Sequence, residues 1–285
     1  MPMDGSNPMG SIEKVLLKFL AWFLFIIAVL SFALWWFQRS LMYFPSKEHA
    51  QRRDYHAEDM QEIILKTKDN LSIKSWYKPP STKALTIVYF HGNGGHLGGR
   101  MPLVRKFIQQ GYGVLLLSYR GYSGNPGKPT ELGLYADAQA AMDFVQAKSN
   151  CVMVFGESLG TGVASKMASD NQIQGLILQT PFTSMVDAAR FHYPYILIEP
   201  TDKYDTLRRI NKFEQPLLVI HGKKDSVVPF AQGQKVFEAA MSNDKQFLVF
   251  DNKHHHDLWS EKFLTEVMLF LKKVNNNCKS EKTIK

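Results

Sequence analysis

The segment from Phe19 to Phe37 reads FLAWFLFIIAVLSFALWWF and carries no charge, no proline and no glycine. At 1.5 Å per residue, about 19 helical residues span roughly 28 Å, close to the hydrocarbon thickness of a bilayer. Val15, Leu16 and Leu17 lengthen the run, and Lys18 can snorkel to the interface. Trp22, Trp35 and Trp36 fall towards its ends, where indoles favour the membrane–water boundary. A helix apolar on every face suits lipid better than a soluble core. A cleaved signal peptide has a shorter apolar region closed by small residues. Here the run closes on Trp35-Trp36-Phe37-Gln38-Arg39. The expectation is an uncleaved anchor over 15–38, after a tail over 1–14 and before a basic connector over 39–61. Lys14 and Lys18 precede the span, and Arg39, Lys47, Arg52 and Arg53 follow it. The positive-inside count favours a cytoplasmic body.

The other 247 or so positions must fold as a globular body, since 45% of the chain is hydrophobic and 21% charged. The formal net charge is +8. That excess is scattered rather than gathered on a basic helix, so nucleic acid is not an expected partner. The two cysteines cannot build a disulfide framework. Cys151 precedes an apolar run and Cys278 sits in a polar tail, so no bridge between them is expected.

Short β-rich runs alternate with helical stretches after the connector. The expected strands are Glu62–Thr67, Ser72–Tyr77, Leu85–His91, Gly113–Tyr119, Cys151–Phe155, Gly175–Thr180, Pro216–His221 and Gln246–Asp251. Runs such as Val114-Leu115-Leu116-Leu117 and Leu217-Leu218-Val219-Ile220 suit strands buried on both faces. Expected helices are Pro102–Gln110, a stretch capped by Thr130 with Asp137 and Asp143 on its polar side, Leu159–Ser169, Phe230–Met241 and Leu258–Lys273. This alternation predicts an α/β fold, with a mostly parallel eight-stranded sheet flanked by helices. The body is placed at 62–274, with a frayed polar tail over 275–285.

Gly156-Glu157-Ser158-Leu159-Gly160 directly follows the strand that begins at Cys151. Gly-x-Ser-x-Gly is a short pattern, but a strand before it and a small-residue helix after it make a nucleophile elbow. The turn would expose the Ser158 hydroxyl and aim the Leu159 N–H at a developing oxyanion. A helix-capping serine in a plain turn is the competing reading. Serine needs a base, and the base needs an orienting acid. Asp225 lies in the loop after one buried strand, and His254, His255 and His256 lie in the loop after the next. Spacing does not choose among the three histidines. Adjacent side chains in a loop diverge, so a metal site is not expected there. His91-Gly92-Asn93-Gly94-Gly95-His96 fails both phosphate-loop patterns. The Asn93 backbone N–H is the expected second oxyanion donor. His91 is expected to pin this loop, with a second candidate base as the competing reading, and His96 is expected to face solvent.

These motifs, with Ser118-Tyr119-Arg120-Gly121-Tyr122-Ser123-Gly124, Thr180-Pro181-Phe182-Thr183-Ser184 and His221-Gly222 through Asp225 to Val228-Pro229, resemble a Bem46-like member of the α/β-hydrolase superfamily. The resemblance runs from about Gln61 to Leu271. It implies an α/β-hydrolase fold with a short cap insertion at about 182–215. It also implies that His255 is the base, with His256 standing where the family usually has Asn. By the same likeness Asp205 is structural and Asp225 is the acid.

The expected function is a membrane-anchored serine hydrolase with a Ser158–His255–Asp225 triad and no metal or organic cofactor. Phe191-His192-Tyr193-Pro194-Tyr195-Ile196-Leu197-Ile198 is an apolar patch that would line an acyl pocket, touch the bilayer or serve only the packing of a cap helix and loop. Lipid-like or acylated esters and thioesters are therefore the expected substrates. The readings that compete are a serine peptidase of the same fold and a non-catalytic acyl-ligand binding or scaffold protein.

Overall fold

A computed structural model describes residues 8–195 and 198–283. The N-terminal residues 1–7, Ile196 and Leu197 of the cap patch, and the last two residues lie outside that description.

The chain opens with helix α1 (Pro8–Met42) and strand β1 (Phe44–Pro45), then β2 (Gln61–Lys66), β3 (Ser72–Lys78), β4 (Thr86–Phe90) and β5 (Gly94–Gly95). Next come α2 (Met101–Gln109), β6 (Gly113–Leu116), α3 (Glu131–Gln146), β7 (Val152–Glu157), α4 (Leu159–Asp170) and β8 (Gly175–Gln179). The last third holds α5 (Met185–His192), α6 (Thr206–Ile210), β9 (Leu217–Gly222), α7 (Phe230–Ala239), β10 (Lys245–Phe250) and α8 (Glu261–Thr283).

The main sheet has eight strands in the order β10-β9-β8-β7-β4-β6-β3-β2. All pairings are parallel except those that β3 makes with β2 and β6. The continuous apolar runs feed both faces, as alternation requires. Val154, Leu176, Leu178, Leu217 and Val219 enter the core on one side, and Met153, Phe155, Ile177, Leu218 and Ile220 enter the other. The α/β class and the eight-stranded sheet expected from sequence are thus both present.

Helix α1 is long and apolar enough to cross a membrane, and its most apolar window is wholly unburied by the body. Its C-terminal end is clasped to the body. Arg39 donates to both carboxylate oxygens of Asp202 at 3.0 and 3.2 Å. The Tyr43 hydroxyl lies 2.9 Å from Asp202 and 2.8 Å from the Tyr204 hydroxyl. The Thr201 N–H donates to the Gln38 side chain. Just beyond, β1 pairs in parallel with β5, so the connector is stitched to the loop that carries Asn93.

Three expectations about the fold fail. Asp137 is not on the polar side of α3; it is buried, and the Arg120 guanidinium donates to it at 2.8 Å. Helical spacing gave no hint of a partner so distant in sequence. The tail after Val274 is not frayed, because α8 continues to Thr283. Val274, Asn275 and Cys278 are buried on one face of it, and the Asn275 side chain accepts the N–H groups of Ala84 and Leu85. That longer helix brings Cys278 to Cys151, and the two form a disulfide with Cα atoms 5.8 Å apart. The expected absence of a bridge rested on a tail that does not fray.

Candidate active site

Strand β7 delivers Ser158 at the C-terminal edge of the sheet, where α/β folds collect their reactive groups. Ser158 has φ 51° and ψ −116°, a left-handed backbone position that an L-residue adopts under strain. Its neighbours show why glycine flanks it. A Cβ on Gly156 would stand 2.6 Å from the Gly160 carbonyl oxygen, and one on Gly160 would stand 2.0 Å from the Phe90 carbonyl oxygen. The sharp turn is pressed between α4 and the end of β4. The Ser158 N–H donates to the Gln179 carbonyl, which fixes the turn to β8.

Asp225 follows β9 and His255 follows β10, and these strands are paired. Gly222 lets their loops meet, since a Cβ there would lie 2.2 Å from the Lys253 carbonyl oxygen. The Lys224 N–H donates to that same carbonyl. The result is one hydrogen-bonded chain. Asp225 Oδ2 lies 2.7 Å from His255 Nδ1, and His255 Nε2 lies 2.8 Å from Ser158 Oγ. The tautomer that satisfies both has Nδ1–H donating to the carboxylate and Nε2 accepting the serine hydroxyl.

Asp225 is buried, which alone would push its carboxyl up. Hydrogen bonds from His221, His255 and the Val228 N–H, with the nearby His255, outweigh that and hold it well below the usual carboxylate range. Its other oxygen accepts the N–H groups of Val227 and Val228, both at 2.8 Å. The carboxylate is therefore fixed in place and ionised.

The three histidines are now distinct. His254 and His256 are exposed, while His255 is buried and faces both Ser158 and Asp225. His256 packs edge-on against His255 with ring centroids 4.8 Å apart. Burial and then the adjacent His255 lower the His256 imidazole. His91 is buried, with Nδ1 2.7 Å from the Gly92 carbonyl oxygen and its ring against Tyr119. Burial, reinforced by the Arg100 charge, pushes its imidazole down to about 3, so it is neutral and takes no part in the chain. His96 is half-buried rather than solvent-facing; it accepts the Gly98 N–H and lies 3.0 Å from the Tyr55 hydroxyl.

Asn93 and Leu159 line the same cavity as Ser158. Neither backbone N–H donates to another group among the described residues. The Asn93 loop is held by its own side chain, which donates to the Met42 carbonyl, and by its carbonyl, which accepts from Tyr122 and Phe44. Asp205 is a helix cap, accepting the Arg208 N–H, and lies outside the site.

Sequence reasoning missed the supports beneath the serine. Arg100 donates to both oxygens of Glu157 at 3.0 and 2.9 Å, and the Tyr89 hydroxyl donates to Glu157 at 2.9 Å. A carboxylate inside a buried turn was the available signal, since it demands a partner. His221 was also missed; its Nε2 lies 2.9 Å from the Val228 carbonyl oxygen and 3.3 Å from Asp225 Oδ2. Trp259 donates to the Gln179 side chain, tying the segment after His255 to β8. Among the described residues, no three His, Cys, Asp or Glu side chains converge as a metal would require.

A serine turn at the edge of a mostly parallel sheet, with an acid and a histidine after the next strands, defines an α/β-hydrolase. The chain belongs to the family described as serine aminopeptidase, S33, whose profile matches residues 81–197 and 203–262. It is 33% identical over 232 residues to an uncharacterized protein of Mycobacterium tuberculosis, covering 79% of this chain and 82% of that one. It is 32% identical over 244 residues to protein bem46 of Schizosaccharomyces pombe, covering 78% and 81%. Over a shorter stretch of 190 residues it is 32% identical to the lysophosphatidylserine lipase ABHD12 of Xenopus tropicalis, covering 58% of this chain and 49% of that one. Among solved structures, an esterase of Pyrococcus furiosus matches with a TM-score of 0.69 at 20% identity, covering 82% of this chain and 98% of that one. That last likeness concerns the fold.

Proposed function

We propose that this hydrolase is a membrane-anchored serine hydrolase cleaving carboxylic esters or thioesters of lipid-like or acylated substrates. The observation that carries the reading is the continuous chain from Ser158 Oγ through His255 to Asp225, opening on a cavity lined mainly by apolar side chains. Ser158 attacks the carbonyl carbon as His255 Nε2 takes the hydroxyl proton. Asp225 holds the imidazole in its tautomer and stabilises the imidazolium. The N–H groups of Asn93 and Leu159 receive the oxyanion. His255 then returns the proton to the leaving alcohol or thiol, and a water repeats the sequence on the acyl-enzyme.

A peptidase reading draws on the family's description. An aminopeptidase needs a group to hold the substrate's amine, and Glu199 is the carboxylate that lines the cavity. It is already paired with Arg190 at 2.9 Å and with Lys203 at 3.1 Å. That favours the ester reading.

The test is labelling of the detergent-solubilised chain with a fluorophosphonate probe, beside Ser158→Ala and His255→Ala. Labelling of the wild type alone is the expected result. A folded wild type that takes no label would sink the proposal and leave acyl-ligand binding to be measured.

A further inference from the structure

The cavity above Ser158 has a volume of about 660 Å³, within the usual range for a ligand site. Its walls come from two sources. Met185, Val186 and Ala189 of α5 form one side, and Leu34, Trp35 and Leu41 of α1 form the other. The helix expected to cross the membrane is thus part of the pocket that holds the reactive serine.

We propose that α1 is the acyl-chain wall of the active site, so that the chain of a membrane-borne monoacyl ester lies between α1 and α5 and enters from the bilayer. The inference rests on the serine hydrolase reading and names the substrate class for that site.

Direction supports it. Met42, at the end of α1, accepts a hydrogen bond from the Asn93 side chain, so this end of the helix sits against the loop proposed to bind the oxyanion. Moving back from Met42 through Leu41 and Trp35 to Leu34 covers about 12 Å along the helix axis. The same path leads into the long apolar run that precedes Gln38. A monoacyl ester in a leaflet has its carbonyl near the headgroups and its chain in the hydrocarbon. With its carbonyl at Ser158 and its chain along α1 towards Leu34, the substrate keeps that orientation. No segment of the chain has to be drawn through water.

Rigidity supports it as well. An anchor on a loose tether would wander from the body. Here Arg39 and Tyr43 meet on Asp202, and Tyr43 also meets Tyr204. The wall therefore has a fixed position relative to Ser158.

The rim is the third support. Phe44, Phe191, Tyr193 and Val227 are 54%, 54%, 47% and 42% exposed. Phe44, Tyr193 and Val227 line the cavity, and Phe191 precedes His192, which also lines it. Large apolar side chains gathered round an opening mark a surface covered by another phase. The most apolar window of α1, unburied by the body, continues from them, so that phase is the bilayer.

The experiment uses the full chain in phosphatidylcholine vesicles. Turnover of vesicle-borne 1-palmitoyl glycerol is compared with that of water-soluble p-nitrophenyl butyrate. Leu34→Trp and Leu41→Trp put an indole into the proposed channel. Each is expected to lower the palmitoyl-to-butyryl ratio of kcat/KM at least tenfold. A ratio that stays put in both variants overturns the proposal. A second measurement needs no turnover. A palmitoyl glycerol with a diazirine near its chain end is irradiated in vesicles carrying Ser158→Ala. Adducts on Met185 or Val186, displaced by excess unlabelled 1-palmitoyl glycerol, are expected. Adducts on α1 alone, none of them displaced, overturn the proposal, because lipid touches α1 in any case. Displaceable adducts on α5 with a wild type that turns over neither ester would instead fell the hydrolase reading and leave the acyl site standing.

The Cys151–Cys278 bridge carries a second inference, about the side of the membrane. These are the chain's two cysteines, both are buried, and they are joined. Structural disulfides persist in oxidising compartments and are rare where thiols are kept reduced. We infer that the body lies on the oxidising side, opposite to the side favoured by the charge count around the anchor. There the two thiols pass two protons and two electrons to a dithiol–disulfide oxidoreductase. Acid-quenched cells making the full chain are treated with a polyethylene glycol maleimide in denaturant, before and after reduction. No shift before reduction and two additions after it are expected. Two additions without reduction overturn the inference.

Discussion

Arg100 and Glu157 form a two-point ion pair one residue from the strained serine, both largely buried. Burial alone would raise the Glu157 carboxyl; the Arg100 charge, its hydrogen bonds and the Tyr89 hydroxyl more than reverse this and hold it below its ordinary value. A lowered folded-state pKa adds stability above the unfolded value of about 4.3, and that stability is lost as pH falls through the folded one.

Arg100→Met should invert this dependence. Glu157 would keep its burial and lose its partner, and its carboxyl would rise above the ordinary value. A raised pKa gives stability that is full at low pH and is lost as pH rises through it. Breaking a buried pair costs about 3–5 kcal/mol. Denaturant midpoints of the detergent-solubilised chain at pH 5 and pH 8 check the point. The variant should be nearer to wild type at pH 5 and fall further behind at pH 8. An equal gap at both would mean that Glu157 does not depend on Arg100.

Asp225→Asn should leave the fold intact and cut turnover by about 10³–10⁴. The Asn carbonyl can still accept the Val227 and Val228 N–H groups that now reach Oδ1. Its amide would face His255 Nδ1 as a donor and impose the wrong tautomer. Asp225 is held below the usual carboxylate range, so it is already ionised at pH 6. A loss in kcat should therefore be seen at both pH 6 and pH 8. Recovery of the variant at either pH would contradict the role given to this carboxylate.

How much of this was legible in the sequence follows from which physics is local. Apolar runs such as Leu217-Leu218-Val219-Ile220 mark buried strands, because parallel strands bury both faces. Ser158 and Asp225 were legible as candidates because each lies in a turn or loop that follows such a run. His255 was not separable from His254 and His256 by spacing; only the resemblance chose it, and in the structure it differs from them in burial. The cap helices α5 and α6 escaped because they are short and depend on the Ser184 and Asp205 caps rather than on a long apolar period. β1 and β5 have two residues each, too few for any period. The partners of Asp137 and Glu157 were opaque for one reason: each buried carboxylate takes its arginine from another segment of the chain.

Reducing the disulfide should loosen the C-terminal helix against the sheet. Cys151 and Cys278 are 127 residues apart, and a loop of that order is worth roughly 4–5 kcal/mol by chain entropy alone, with about 2–4 more usual in practice. A Cys151→Ser/Cys278→Ser chain should melt about 5–15 °C below the wild type. The midpoint of the wild type should fall by a similar amount in reductant, while that of the double variant should not move. A wild type indifferent to reductant would place no weight on the bridge.

The glycines of the serine turn should differ sharply in what they tolerate. A Cβ on Gly160 would meet the Phe90 carbonyl oxygen at 2.0 Å and the His91 carbonyl oxygen at 2.8 Å. Both are backbone atoms where β4 passes into the Asn93 loop, so no rotamer change relieves the contact. Either α4 retreats or the loop does, and each movement parts Ser158 from one N–H proposed to bind the oxyanion. Gly162 is crowded by the Tyr204 and Phe182 side chains, which can give way, and Gly99 has open space around it. Overpacking costs about 1–3 kcal/mol, and more where the backbone must move. Gly160→Ala should therefore lower the melting temperature by about 5–10 °C and slow fluorophosphonate labelling more than 100-fold. Gly162→Ala should cost less in both measurements, and Gly99→Ala should match the wild type within about 0.5 kcal/mol. The informative comparison is Gly160→Ala against Gly162→Ala, because both lie in the same helix. Equal labelling rates in these two would mean that the approach of α4 to β4 does not set the geometry at Ser158.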